Sequence, residues 1–409
     1  MENQPLRAGL EGVVVAETAM SRVDGERGEL LLHGHDVREF AGNHTFEETC
    51  ALLWTGQLPD SDQCATIARE IADGRERAFE SLPRLGDALA GDDGMDALRA
   101  AMSHWRSNTA NPRANGAEIA GALATFAAAW WRKNRGQEPI APDRTLSLAA
   151  DYLRMLAAFG NTRYPGAARD STESERTSRQ GMRSGVRKER SGRAADASIS
   201  DLARALDTYF VTVIDHGMNA STFAARVVTS TGSDVVSAMV AALGALKGPR
   251  HGGAPGPVLD MLDAIGRPER ASAWLDRELA AGRRIMGMGH RVYRVRDPRA
   301  AVLQDAAETL CAATGDERIS ARLALARAVE SRARELLEAR YPDRRLRANV
   351  EFYTAVLLDA IRIDRRLFTP TFAIARSAGW FGHITEQAKT GRLIRPKSRY
   401  VGPDHSLSA

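Results

Sequence analysis

The sequence predicts an all-α protein. Three observations carry that reading: Ala-rich segments whose apolar residues recur at helical spacing, a complete helix-start signal near residue 45, and a scarcity of strand signal. Thr45-Phe46-Glu47-Glu48 places a hydroxyl before an apolar run and a carboxylate three residues on, the capping-box pattern. The helix it opens should end at Gly56 and Pro59. Helical spacing recurs at Ala117 to Trp131, Leu146 to Phe159 and Ile319 to Ala339. Val235 to Leu246 is almost wholly apolar and predicts a buried helix. The strand signal is limited to 11–17 and 29–32, expected as one short hairpin across the polar Asp24-Gly25-Glu26 turn.

The 409 residues are 44% hydrophobic and 26% charged, enough for one large domain and a smaller one. Mean hydropathy is −0.32. No apolar run approaches the ~18 residues of a membrane span, and the polar start, Met1-Glu2-Asn3-Gln4-Pro5, lacks the layout of a signal peptide. The 3 cysteines, Cys50, Cys64 and Cys311, are far apart and odd in number. They fit a reducing cytoplasm and neither a disulfide framework nor a zinc site. The net charge of +4 arises in one place. Between Arg169 and Arg193 eight basic residues face four acidic ones, which accounts for the whole excess. A general pull on nucleic acid is therefore not expected. The surrounding stretch, 161–195, is rich in Ser, Arg, Gly and Glu and reads as an exposed, flexible insertion.

Three histidines stand in glycine-rich settings: His216-Gly217, His251-Gly252-Gly253 and Gly287-Met288-Gly289-His290. Imidazole exchanges protons near neutral pH, and glycine lets the backbone approach a ligand closely. Arginines and a later carboxylate join them, which points to an active site that handles anions.

These motifs bring out a resemblance. The chain resembles the citrate synthase family nearly end to end, with only the 161–195 insertion outside the pattern. Its markers run from Gly9-Leu10-Glu11-Gly12 and Leu52-Leu53-Trp54-Thr55-Gly56 through His216-Gly217-Met218-Asn219 and Gly248-Pro249-Arg250-His251-Gly252-Gly253. They continue with Gly289-His290-Arg291-Val292-Tyr293, Asp297-Pro298-Arg299, Asn349-Val350-Glu351-Phe352-Tyr353, Arg376-Ser377-Ala378-Gly379-Trp380 and Arg395-Pro396. The resemblance implies a large helical domain formed by 1–251 and 359–409, a small one formed by 252–358, and substrates in the cleft between. It implies His251 as donor to a thioester oxygen, His290 at the ketone of oxaloacetate, and Glu351 as the base. His216, Arg299 and Arg376 would hold oxaloacetate, and Arg395 would reach into a neighbouring subunit of a homodimer. Arg294, Arg291 and Lys247 would lie near the phosphates of CoA. His383 is expected to be structural.

The activity so implied is condensation of acetyl-CoA with oxaloacetate and water to give citrate and CoA, with no metal or cofactor. The alternatives are 2-methylcitrate synthase acting on propionyl-CoA and a non-catalytic CoA-binding paralogue. One departure stands out. The family's usual base is aspartate, and Glu351 carries one methylene more. Arg250 is a second, since many members have an apolar residue there.

Overall fold

The computed structural model describes residues 8–10, 12–156, 199–253 and 255–402; the 161–195 segment lies outside them. The described residues fold into helices and one small antiparallel sheet. The sheet comprises β1 (Ser21–Asp24), β2 (Glu29–Leu32) and β3 (His35–Asp36), in that order. Ser21 pairs with Leu32 and Asp24 with Glu29, so the turn spans 25–28. The hairpin expected from 11–17 is thus corrected: its first strand is Ser21–Asp24, and 13–18 run without regular structure. The β-branched Val13-Val14-Val15 run has the composition of a strand but no pairing edge among the described residues. Val14 is 87% exposed.

Fifteen helices of four or more residues follow among the described residues. They are α1 (Val37–Phe40), α2 (Phe46–Thr55), α3 (Ser61–Ser81), α4 (Gly94–Ser103), α5 (Asn115–Lys133), α6 (Leu148–Leu156), α7 (Ile199–Val213) and α8 (Ala220–Thr229). Then come α9 (Val235–Lys247), α10 (Pro255–Ile265), α11 (Ala271–Ala280), α12 (Pro298–Thr314), α13 (Glu317–Arg340), α14 (Val350–Ala360) and α15 (Phe368–Thr390). The α2 start shows both capping-box bonds, Glu48 N to Thr45 Oγ1 at 3.2 Å and Thr45 N to Glu48 Oε2 at 2.8 Å. Its end falls at Gly56, whose φ of 80° suits a residue without Cβ. The predicted helices within 117–131, 146–159 and 319–339 are present as α5, α6 and α13, each as far as it is described.

Two groups of helices pack mainly among themselves. In one, α5 lies on α3, α9 on α8 and α4, and α15 crosses α5, α8, α9 and α7. In the other, α14 packs on α12 and α10, and α11 on α13. The groups meet where α12 touches α7 and α1. The buried α5 is Ala-rich, which lets α3 come close: a Cβ on Gly74 would lie 2.1 Å from the Glu118 carbonyl oxygen. The expectation that 235–246 is a fully buried helix needs correcting. Ala238, Met239, Ala242, Leu243 and Leu246 are buried, but Val235, Val236 and Val240 are only half-covered and Gly244 is exposed. Apolar composition shows that a helix wants cover; it does not show which chain supplies it.

Candidate active site

The candidate site residues come from five short places: the turn before α8, the loop after α9, the 287–299 loop, the start of α14 and the first half of α15. His216 and His290 stack edge to face with ring centroids 5.5 Å apart, and Tyr293 lies 5.6 Å from one and 4.8 Å from the other. His216 Nε2 and Tyr293 Oη are 3.2 Å apart.

The tautomer of His290 follows from its neighbours. The amides of Val292 and Tyr293 approach its Nδ1 at 3.1 and 3.2 Å. An amide only donates, so Nδ1 accepts and the ring proton sits on Nε2. His251 Nε2 lies 3.3 Å from the Ser221 amide and 2.8 Å from Ser221 Oγ, whose hydroxyl donates to Asn219 Oδ1 at 2.7 Å. Burial, reinforced by Arg376, lowers the pKa of His251 to about 4. Burial and Arg299 bring His290 to about 4 as well, although Asp297 opposes them. His216 is held well below its usual value by burial, Arg299, His290 and Arg376. All three rings are held toward the neutral form, and His290 has a defined N–H donor on Nε2.

Asp297 organises the 287–299 loop. Its carboxylate accepts from Arg299 Nε and Nη2 at 3.1 and 2.8 Å, from the Arg299 amide at 3.0 Å, and from the Val350 amide at 3.1 Å. The same residue therefore aims the guanidinium and pins the first turn of α14, where Glu351 follows Val350. Asn349 caps that helix through the Glu351 amide and spans back to Gly289 O at 2.8 Å. Gly289 has φ 89°, a conformation few other residues hold, and this turn delivers His290. The β1–β2 turn braces the loop from outside. Arg294 N donates to Gly25 O at 2.9 Å, and a Cβ on Gly25 would lie 2.1 Å from Val292 O.

Glu351 sits among these groups with its pKa pushed up to about 7. Burial is the main cause; Arg299 and Arg376 pull it down and Asp297 pushes it up. Arg376 is buried, and burial lowers it to about 10, still a cation near neutrality. It spends Nε on Val213 O at 2.7 Å, which leaves both terminal nitrogens without a partner among the described residues. Its guanidinium lies 4.7 Å from the Phe372 ring, and that ring meets His251 edge to face at 6.5 Å.

The structure thus brings His216, His290, Arg299, Arg376 and Glu351 into one electrostatic cluster, with His251 beside Arg376. Arg291 and Arg294 lie exposed on the same loop as His290. Lys247 is engaged elsewhere: its ammonium pairs with Asp96, with Asp93 3.9 Å away. Arg395 is exposed on the extended 392–402 segment and pairs with none of the described residues. Sequence reading placed Tyr293, Asp297 and Trp380 in family motifs but gave neither them nor Ser221 a role in the site; for Asp297 the Asp-Pro pair is also a helix-start signal, and α12 begins at Pro298.

Neutral imidazoles, buried cations and one high-pKa carboxyl gathered in one place are the groups that acid–base chemistry on an anion needs. The comparisons narrow this. Residues 9–397 match the family model "Citrate synthase, C-terminal domain". The chain is 33% identical to the citrate synthase of Haloferax volcanii over 97% of its own length and 96% of that protein. It is 33% identical to that of Deinococcus radiodurans, covering 96% and 95%. The crystal structure of citrate synthase from Thermotoga maritima superposes with a TM-score of 0.77 at 32% identity, covering 98% of this chain and 96% of that one. A structure from Thermoplasma acidophilum, a ternary complex with carboxymethyl coenzyme A and oxaloacetate, shares the fold at TM-score 0.78 and 24% identity, over 98% and 97%. The chain belongs to the citrate synthase family of acyltransferase enzymes and has its mostly helical fold. No helix among the described residues is long and apolar enough to cross a membrane.

Proposed function

We propose that the protein condenses acetyl-CoA with oxaloacetate and water to give citrate and CoA. One observation carries the reading: neutral His251 and neutral His290, the latter with its donor on Nε2, share one cluster with a carboxyl whose pKa lies at about 7. Glu351 takes a proton from the thioester methyl. His251 Nδ1–H stabilises the oxygen of the resulting enol. His290 Nε2–H polarises the ketone that the new carbon attacks. Water then cleaves the thioester and releases CoA. His216, Arg299 and the free terminal nitrogens of Arg376 hold the carboxylates of oxaloacetate.

The packing supports residues 252–358 as the small domain and 1–251 with 359–409 as the large one. His290, Arg299 and Glu351 then belong to the small domain, His216 and Arg376 to the large, and His251 to their junction. Domain closure would exclude water from the thioester. Arg291 and Arg294 are the cations proposed for the CoA phosphates; Lys247 is dropped from that set because Asp96 already neutralises it. The half-covered face of α9 and the exposed Leu393, Tyr400 and Val401 support self-association, with Arg395 reaching a second copy.

The test is thiol release with oxaloacetate, run in parallel on acetyl-CoA and propionyl-CoA, with the protein's 3 cysteines subtracted as background. Oxaloacetate-dependent release that favours acetyl-CoA, and falls by about 10²–10⁴-fold in Glu351→Gln, is the expected result. Preference for propionyl-CoA moves the assignment to 2-methylcitrate synthase. No release from folded protein that still binds CoA overturns the enzymatic reading.

A further inference from the structure

One face of α15 does more than supply Arg376. Arg376, Trp380, His383 and Gln387 follow at spacings of four, three and four, so they share that face, and all four are buried. Trp380 Nε1 donates to Ser221 Oγ at 3.0 Å. Ser221 is the residue whose amide and hydroxyl meet Nε2 of His251.

His383 serves the other histidine. Its Nδ1 is 2.9 Å from Nη1 of Arg226, which can only donate, so Nδ1 accepts and the proton is on Nε2. Nε2 faces both carboxylate oxygens of Asp215, at 3.2 and 3.3 Å. Asp215 in turn accepts from Ser21 Oγ at 2.5 Å and from the Gly217 amide at 3.2 Å. Its contacts therefore grip the chain on both sides of His216. Asp215 is fully buried, and burial alone would raise its pKa; His383, Arg376 and Ser21 reverse this and bring it to about 2. A buried carboxylate needs such donors, so the ring is more than filling. Behind it, Arg226 is locked by Glu386 at 2.9 Å and Gln387 at 3.1 Å.

We propose that Trp380 and His383 are positioning residues, each setting one cleft histidine: Trp380 sets His251 through Ser221, and His383 sets His216 through Asp215. The two links are separate, so they have separate kinetic signatures. His383 governs the grip on oxaloacetate. Trp380 governs the donor at the thioester oxygen. Only the names of those ligands rest on the function proposed above.

The test compares His383→Asn, His383→Gln and Trp380→Phe, each checked for folding by thermal melting. An Asn amide in place of the ring accepts from Arg226 but falls short of Asp215. A Gln amide nitrogen reaches the depth of ring Nε2, so it keeps the bond to Asp215. His383→Asn should raise KM and calorimetric Kd for oxaloacetate about tenfold, with the acetyl-CoA KM within about twofold. His383→Gln should restore most of that loss. Trp380→Phe should lower kcat about tenfold and leave the oxaloacetate Kd within about twofold. Equal losses in Asn and Gln variants, or the same parameter moving at both sites, would overturn the proposal. Should the Asn variant not fold, Ser21→Ala, which strips Asp215 of its shortest bond, must raise the oxaloacetate Kd in the same way or the proposal fails. Wild-type protein that binds oxaloacetate but releases no thiol would sink the condensation reading, while the oxaloacetate Kd values would still decide the His383 link.

Discussion

The two halves of the candidate site are held by different physical means. On one side, His251, His216 and Arg376 take their places from a single helix face, through buried side chains in a fixed register on α15. On the other, His290, Arg299 and Glu351 hang on a glycine-bearing loop that one carboxylate, Asp297, ties to the start of α14. The first half resists change through packing, since a helix cannot shift one residue without shifting its whole face. The second depends on a few charge-assisted hydrogen bonds.

That comparison can be broken at its weakest point first. Asp297→Asn removes the charge opposite Arg299 while keeping the shape. We expect kcat/KM for oxaloacetate to fall about 100-fold, the scale of an angstrom-level misplacement. Thermal or urea unfolding should show a loss of about 3–5 kcal/mol, as expected when a buried ion pair loses one partner. An unchanged rate would mean that Arg299 and Glu351 hold their geometry without it.

The matching change in the packed half is Gly379→Ala. A Cβ there would lie 2.3 Å from Ile214 O and 2.9 Å from Asp215 Oδ1, so the turn before His216 must retreat. Overpacking of this kind costs about 1–3 kcal/mol. The expected signature is a raised oxaloacetate KM of about tenfold with the acetyl-CoA KM little changed, together with a lower melting temperature. Outside both halves, Lys247→Ala is the control. Its pair with Asp96 is more than a third exposed on both sides, at 37% and 39%. The unfolding free energy should change by no more than about 0.5 kcal/mol and the acetyl-CoA KM by less than about twofold. A tenfold rise in that KM would return Lys247 to the CoA site.

Local signals were legible in the sequence, and distant partnerships were not. The Thr45 capping box, the Gly56 stop and the Ala-rich helices depend on neighbours within a turn or two, and each is found where its pattern places it. The strand at 11–17 was misread because β-branched residues report a preference for extended backbone, whereas a strand also requires a pairing edge. The α9 misreading has the same origin: the sequence shows an apolar helix, not what covers it. In the site, glycine neighbours made His216, His251 and His290 visible. The side chains packed behind them were not visible. Trp380 lies 159 residues from Ser221, and His383 lies 168 from Asp215; such partners meet only in the folded chain. Glu351 could be named from its motif, but its pKa near 7 comes from burial between Arg299, Arg376 and Asp297.

The most direct test of the account is the pH dependence of kcat/KM for acetyl-CoA, measured from pH 5 to 9 at saturating oxaloacetate. In the proposed reaction the carboxylate form of Glu351 is the active one, and its raised pKa keeps it protonated at the acid end. His251 and His290, at about 4, are neutral throughout and add no limb of their own. The account predicts a single rise with increasing pH, half complete near pH 7 and absent from Glu351→Gln. A profile that is flat across that range, or one that survives in the Gln variant, would contradict it.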